Sequence, residues 1–591
     1  MTAEAHGVFV SPSLGQGAQL PHSLAAAHAD HAVCADRLAG LSAAYLLSTI
    51  ANDSADGVTF DVHVYEKAAS TGLAGECIEL RLPACDRSEG GDSSSTSSGE
   101  TRRTFALDTP MRAIHAGTHD RTTKLYAHIG AKLAPATFSY SFATISATFQ
   151  RFRASPQETA GSQRWREGAL TGSSLPPPYE DECAPPYSSS GEPVPDQRAQ
   201  ILYEGQNGLR WPPLRLPSHA AHSPLKAAAH LWALLWLSLA YLHVLALAFF
   251  YHSLGLTQDH GNRPRTRLLG LVKAVANEPL GQWCQRHGVA TSLSHDTLIP
   301  LFAALATVSR SEAAAMPAGD VLNYIIDTFR ADHCVARDGV KDVAERLLAS
   351  VPRESLHFSD EIKRVERTPR ETYKVFSAQA TEQGREFDHV ILATQANHAR
   401  TILEAYKPAK SDEAKHRARL AALGQFEYVH SVVVNHTDAS ILPPNARDHR
   451  DLNLASFDVP KLAPSPSSTD ALQLGAGHTM ATHIISRTRP ELGDSLVMQT
   501  TNPIVPIDST HVLSVAHFER VKVTSRSKVA RGLFFHCTAG TLQGGTDGDG
   551  LHFVGSWCHS GIPLLEGCVA SAEAAARAIA RAEGIAVELP Y

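Results

Sequence analysis

Charge is scarce in this sequence. Asp, Glu, Lys and Arg make up only 19 % of the 591 residues and leave a net charge of −7, with no long basic run. That balance excludes a nucleic-acid partner, because neutralising phosphates takes clustered Lys and Arg. Cysteine is scarce too: the nine thiols are odd in number and none forms a C-x-x-C pair. A zinc ribbon and a disulfide framework are both disfavoured, and a reducing compartment is expected. The 31 histidines are scattered, and the nearest thing to a cluster is His28 and His31 beside Asp30. With no H-E-x-x-H spacing, no metal site is expected. The opening residues, MTAEAHGVFVSPSLGQGAQLPHS, lack a cationic stretch followed by an apolar one. Secretion is therefore not expected, and the expected location is intracellular, either cytoplasmic or membrane-associated.

What is present is an ordinary globular content, 43 % hydrophobic, enough for a large core in about two to four domains or one large two-domain enzyme. Two stretches are too polar to fold alone. SEGGDSSSTSSGE (Ser88 to Glu100) reads as the swollen tip of a hairpin, and a Pro/Ser-rich stretch runs from about Pro156 to Pro195. Elsewhere helical and strand patterns alternate. GLSAAYLLSTIA and VKDVAERLLASV carry apolar residues at helical spacing, whereas VTFDVHVYEK alternates as a strand. TYKVFSAQATEQGREFDHVILAT reads as a hairpin whose second arm becomes a buried strand, and SAEAAARAIARAEGIA as a closing helix. Such alternation predicts an α/β core with an added β-rich portion.

Near the start lies a damaged nucleotide-binding pattern. In a dinucleotide-binding βαβ unit, G-x-G-x-x-G turns a strand into a helix and lets pyrophosphate approach the backbone. Here Ala35, Arg37 and Gly40 occupy the three glycine positions, so only the third is kept. The helix after them is intact, and the next strand ends in Glu66, 26 residues beyond Gly40, where an acid would hold a ribose hydroxyl. Three accounts of the loop stay open: Arg37 faces the phosphates as a cation, FAD is held weakly or not at all, or the residues before about Leu38 come from a wrongly assigned exon.

Further stretches occur in a fixed order: GLSAAYLL, VYEKAASTGLAGE, LDTPMRAIHAGTHDRTTKLYAHIGAKL, TLIPLFAALATVSRSEAAAMPAGDVLNYI, HCVARDGVKDVAERLL, FDHVILATQA, VVVNHTDASILPP and FVGSWCHSGIPLLEGCVASAEAAARAI. In this the chain resembles the FAD-dependent amine oxidase and phytoene desaturase superfamily, and within it the NAD/FAD-binding oxidoreductases of fungi and bacteria. The resemblance spans most of residues 33 to 583 and implies an α/β fold: an FAD-binding Rossmann-like domain with a mixed α+β substrate domain, in the two-domain amine-oxidase manner. It implies FAD-binding parts at residues 31–110, 331–400 and 531–583. Substrate parts are implied at 111–330, with a disordered insertion at about 156–226 and the hydrophobic helix at 231–251, and at 401–530, after an unstructured leader of residues 1–30.

The resemblance also implies roles. Glu66, with Lys67 beside it, would hold the adenosine ribose. The turn containing Gly72 and Gly75 would line the pyrophosphate with backbone amides. Ile362 would lie against the adenine, and Ala393 and Thr394 would cover the nucleotide. Arg112 would stand near the flavin, and Gly555, Trp557, Gly561, Ile562, Pro563 and Leu564 would run under its ring, with the next helix aiming its N-terminus there. No catalytic acid or base is named. Cys558 and His559 are neighbours without a third orienting group, so they do not read as a nucleophile and its base.

One segment stands apart. Leu231 to Tyr251 is 21 residues without a formal charge, long enough to span a bilayer. A single span would put Glu66 and Gly555 on opposite sides, so the segment is expected either to pack in the substrate domain or to contact a membrane surface. Trp232, Trp236 and Tyr241, with the basic RPRTR downstream, suit an interface. Two functions are weighed: an FAD-dependent oxidoreductase acting on an amine or an unsaturated, lipophilic small molecule, and a non-catalytic membrane-associated protein that kept the fold and lost FAD.

Overall fold

The computed structural model describes residues 8–10, 28–34, 38–53, 59–69, 76–82, 103–145, 187–188, 197–205, 210–258, 275–406, 408, 412–457, 477–489, 492, 495–538, 541–544, 549–585 and 589–591. Ala35, Arg37, Gly72, Gly75, the Ser88 to Glu100 stretch and RPRTR lie outside these residues.

The first helix, α1 (Leu38–Asp53), follows directly on the strand β1 (His28–Cys34). Leu38, Leu41, Leu46 and Leu47 fill its large positions and Ala39, Ala43 and Ala44 its small ones, and all seven are buried. A helix apolar on every side must be covered on every side. α1 is sandwiched accordingly, against the closing helix α3 (Leu565–Ala582) and the sheet beneath. The second strand, β2 (Thr59–Glu66), buries Val62 and Val64 on one face and His63, Tyr65 and Glu66 with them. Burial on both faces marks a parallel sheet with helices on either side.

That sheet is completed from distant sequence by β3 (Leu356–Phe358), β4 (His389–Leu392) and β5 (Leu551–Phe553). The parallel order is β3-β2-β1-β4-β5, with Leu356 opposite Val64, Cys34 opposite Tyr65, His389 opposite His31 and Val390 opposite Leu551. Within the expected leader, Val8–Val10 forms a further strand, antiparallel to β1, β2 and β4. The order runs outward both ways from β1, so its switch point lies between β1 and β4. In open α/β sheets, ligands bind beyond the carboxyl ends of the strands at such a point.

The polar tip expected at residues 88–100 joins two strands, Glu76–Leu82 and Arg103–Thr109, paired from Glu76 with Thr109 to Leu82 with Arg103. The hairpin read at Tyr373–Ser377 and Arg385–Phe387 forms, and its continuation is β4.

A second, eight-stranded sheet supports the other half. Its third strand, Tyr140–Ile145, pairs antiparallel with Gln197–Tyr203, a strand inside the insertion expected to be disordered, and parallel with Leu452–Phe457. Over it pack the long helix α2 (Pro224–Ser253) and the shorter helices between Leu280 and Thr328, around a core containing Trp283 and Phe302. Strands from before and after α2 share this sheet, so both ends of α2 lie on one side of any membrane.

Candidate functional site

Between the two sheets lies a cavity of about 1090 Å³. Residues that follow three of the parallel strands reach it: Leu38 at the start of α1, Thr394 after β4, and Gly555 after β5. The doubly wound topology thus opens onto the cavity at the place where such sheets take their ligands.

The carboxyl-end segments are stitched together. The Trp557 indole Nε1 donates to the Thr394 carbonyl at 2.9 Å, and the Gly555 N–H donates to the Ser571 hydroxyl of α3 at 2.9 Å. Gly567 allows α3 to begin this close, since a Cβ there would come within 2.9 Å of the Ser556 carbonyl oxygen and of the His559 Cβ. Trp557, Ile562, Pro563 and Leu564 line the cavity with Gly555, while Gly561 turns the chain at φ +88° just before Ile562. Arg112 lines it from the other side, in the segment after strand Arg103–Thr109.

Glu66 is fully buried at the carboxyl end of β2, and its carboxylate accepts the Ala68 N–H at 2.7 Å. Its carbonyl accepts from Asp360 N–H at 3.0 Å, which brings the chain leading into Ile362 to the same sheet end. Ile362 and Ala393 are buried in the core beneath, away from the cavity lining, and Lys67 is half-buried at the strand end. Gly40 is buried in the third position of α1.

The chemistry of this donor set fits FAD: a buried acid at the end of β2, a helix start after β1, a cavity at the switch point and the α3 N-terminus along one wall. Of the residues expected to hold it, Arg112, Thr394, Gly555, Trp557, Ile562, Pro563 and Leu564 line the cavity, whereas Glu66 does not. The Cys558 thiol is wholly buried and pushed well above its ordinary pKa by burial, while burial holds His559 down to about 4. Neither is poised as nucleophile or base.

The far end of the cavity escaped the sequence reading. Tyr140, Phe142, Tyr203, Tyr324 and Phe302 form much of its apolar wall, with Leu237, Tyr241, Leu242 and Val244 of α2. His115, His119, His333 and His483 line it as well. Burial holds His119, His333 and His483 to about 4, so these imidazoles are neutral at neutral pH. These residues come from eight separate elements, with His119 just before a ninth, and follow no spacing rule, so no motif announced them. His115 and His119 do sit inside the stretch quoted for Arg112.

The site and the sheet define a two-domain dinucleotide-binding oxidoreductase. The chain belongs to the flavin containing amine oxidoreductases, whose family profile matches residues 277–580, just over half of the chain. FAD is accordingly its cofactor, and the chain is a flavin-dependent oxidoreductase. No curated protein matches the sequence. Among solved structures it is similar to cyclohexylamine oxidase from Brevibacterium oxydans IH-35A, at 11 % identity and a TM-score of 0.48, covering 93 % of this chain and 98 % of that one. It is also similar to putrescine oxidase bound to putrescine, at 11 % identity, a TM-score of 0.45 and coverage of 93 % and 98 %. A CLA-producing fatty acid isomerase from P. acnes shows 11 % identity, a TM-score of 0.45 and coverage of 94 % and 99 %.

Proposed function

We propose that the enzyme oxidises a lipophilic small molecule that reaches its cavity from a membrane surface. The observation that carries this reading is the double use of α2. Tyr241 and Leu242 line the cavity yet are 43 % and 56 % exposed, which puts the cavity mouth beside the helix. Around them the outer face of α2 presents Leu231, Trp232, Leu235, Trp236, Leu239, Phe249 and Phe250 to the outside. A contiguous apolar stripe of this size with tryptophans at one end suits the bilayer interface.

FAD supplies the hydride-accepting chemistry when bound. The protein's own part is to hold the substrate with its reacting carbon toward the wall formed by Gly555 to Leu564, and to keep water out. The apolar wall of Tyr140, Phe142, Phe302 and Tyr324 does both. Glu66 and the strand ends keep the nucleotide in register with that wall.

The first test is the visible absorption spectrum of the full chain purified in mild detergent. Flavin bands near one equivalent support the reading. A folded, colourless protein that stays colourless with added FAD would favour the non-catalytic alternative. A vesicle co-sedimentation assay tests the membrane half of the proposal separately.

A further inference from the structure

From Arg210 to Ser253 the sequence contains no Asp or Glu, yet it carries Arg210, Arg215 and Lys226. These three cations precede or open α2, so one end of the apolar helix is positive and no acid within the segment balances it. Trp211 lies between the two arginines and is 87 % exposed, more than any other large apolar side chain among the described residues. An indole left in water gains by entering an interface, where its ring is covered and its N–H stays wet.

The fold brings this segment to the cavity mouth. The short strand Leu214–Arg215 pairs antiparallel with the end of Gln197–Tyr203, Tyr203 standing opposite Leu214. Pro213 and Leu214 line the cavity together with Leu237, Tyr241 and Leu242 of α2. Arg210, Trp211 and Arg215 flank those two residues and are all exposed. In the first turn of α2, Leu225 and Lys226 are exposed as well, and Leu225 continues the outer stripe of Trp232, Trp236 and Leu239.

The charge here is not cancelled from below. One carboxylate, Glu204, is shared by three guanidiniums: Arg450 at 2.7 Å, Arg215 at 3.2 Å and Arg210 at 3.9 Å. Arg450 is itself buried, so it and Glu204 neutralise each other in the interior. Asp448, also buried, accepts the Ser218 N–H and hydroxyl at 2.9 and 2.6 Å, and the neighbouring exposed Arg447 offsets its charge. Arg210, Arg215 and Lys226 therefore leave the surface beside α2 positive.

We propose that Arg210, Trp211, Arg215 and Lys226 form a docking surface for an anionic phospholipid bilayer, which seats the cavity mouth against negatively charged head groups. The inference rests on the proposed function for the membrane itself, and adds which lipid charge the protein reads and with which residues. Cations reach phosphate and carboxylate head groups while the indoles and leucines settle at the acyl boundary. A protein partner would have to offer an apolar groove along α2 and carboxylates fitted to one end of it. An anionic bilayer offers both without a fitted shape.

The test is co-sedimentation of the full chain with two sets of vesicles, phosphatidylcholine alone and phosphatidylcholine with about a third phosphatidylserine. Each cation near such a surface strengthens binding about fivefold, so the wild type should prefer the anionic vesicles by about tenfold or more. The preference should fade as salt is raised. Arg210→Gln with Arg215→Gln should remove most of it and leave binding to phosphatidylcholine unchanged. Arg210→Lys with Arg215→Lys, which keeps both charges, should retain it. Lys226→Gln, on an exposed turn where folding is not at stake, should cost about fivefold on anionic vesicles only. Trp211→Ala should weaken binding to both sets.

Equal binding to the two sets overturns the inference and leaves the membrane reading standing, whereas binding to neither overturns both. Binding to soluble polyglutamate as tight as to anionic vesicles overturns it in favour of an acidic protein partner. Release from vesicles by free glycerophosphoserine overturns it too, since a single head group and not a surface would then be read. The wild-type comparison decides even where a variant fails to fold.

Discussion

Glu566 and Thr122 are joined across the two halves of the molecule: the Glu566 carboxylate accepts both the Thr122 backbone N–H and its hydroxyl, each at 3.1 Å. The same carboxylate takes the Arg121 N–H, so a side chain from the first turn of α3 caps the helix Asp120–His128. That helix follows His119 in the cavity wall. Glu566→Ala should lower unfolding free energy by about 1–3 kcal/mol, the cost of leaving buried donors unmatched. Glu566→Gln, which keeps an acceptor, should lose less. Urea unfolding followed by circular dichroism checks the order.

The buried histidines predict acid sensitivity. His119, His333, His436 and His483 are held by burial to about 4, and His552 to about 3. In the unfolded chain each takes its proton near the ordinary value of about 6.5. Between about 6.5 and 4 the unfolded state therefore binds more protons, and stability falls as pH is lowered through that window. Denaturation midpoints measured from about pH 7 down to about pH 5 should drop progressively; a flat profile would contradict the burial of these rings.

The outer face of α2 makes a third prediction. Leu235 and Trp236 are 51 % and 55 % exposed. Replacing both by Glu should change stability by no more than about 0.5 kcal/mol per site, as exposed substitutions do. Vesicle association should nevertheless fall by about tenfold or more, since two buried apolar contacts are lost and two charges gained. Retained binding to vesicles would remove the membrane from the account.

Glu66 makes a fourth. Glu66→Ala should weaken FAD retention by about tenfold or more through loss of the ribose contact. Flavin released on ultrafiltration, compared with wild type, reads this directly. If FAD is retained equally well, Glu66 serves only to fix the turn at Ala68.

Much of the first sheet was legible because periodicity and length carry it. The α1 stretch, the strand ending in Glu66 and the closing helix each announce themselves in a dozen residues. The strand His28–Cys34 was hard to read, since HADHAVC has few apolar residues and the backbone pairing is supplied by neighbours far along the chain. The flavin-side wall was legible through an ordered set of short stretches. The imidazole wall was not, because His333 and His483 meet only when two strands from different sheets converge on Phe138. Exposure of α2 was equally unreadable: hydropathy reports that a helix is apolar and says nothing of which face the fold covers.

The strand order of the parallel sheet has a consequence in time. β1 and β2 emerge within the first 66 residues, yet β4 and β5 begin only at His389 and Leu551. During synthesis the early pair stands with open edges while most of the substrate half is made, the situation in which nascent sheets recruit wrong partners. Of the strand-following residues that reach the cavity, Leu38 is thus made early and Thr394 and Gly555 late. The cavity wall is complete only once Cys568 has been made.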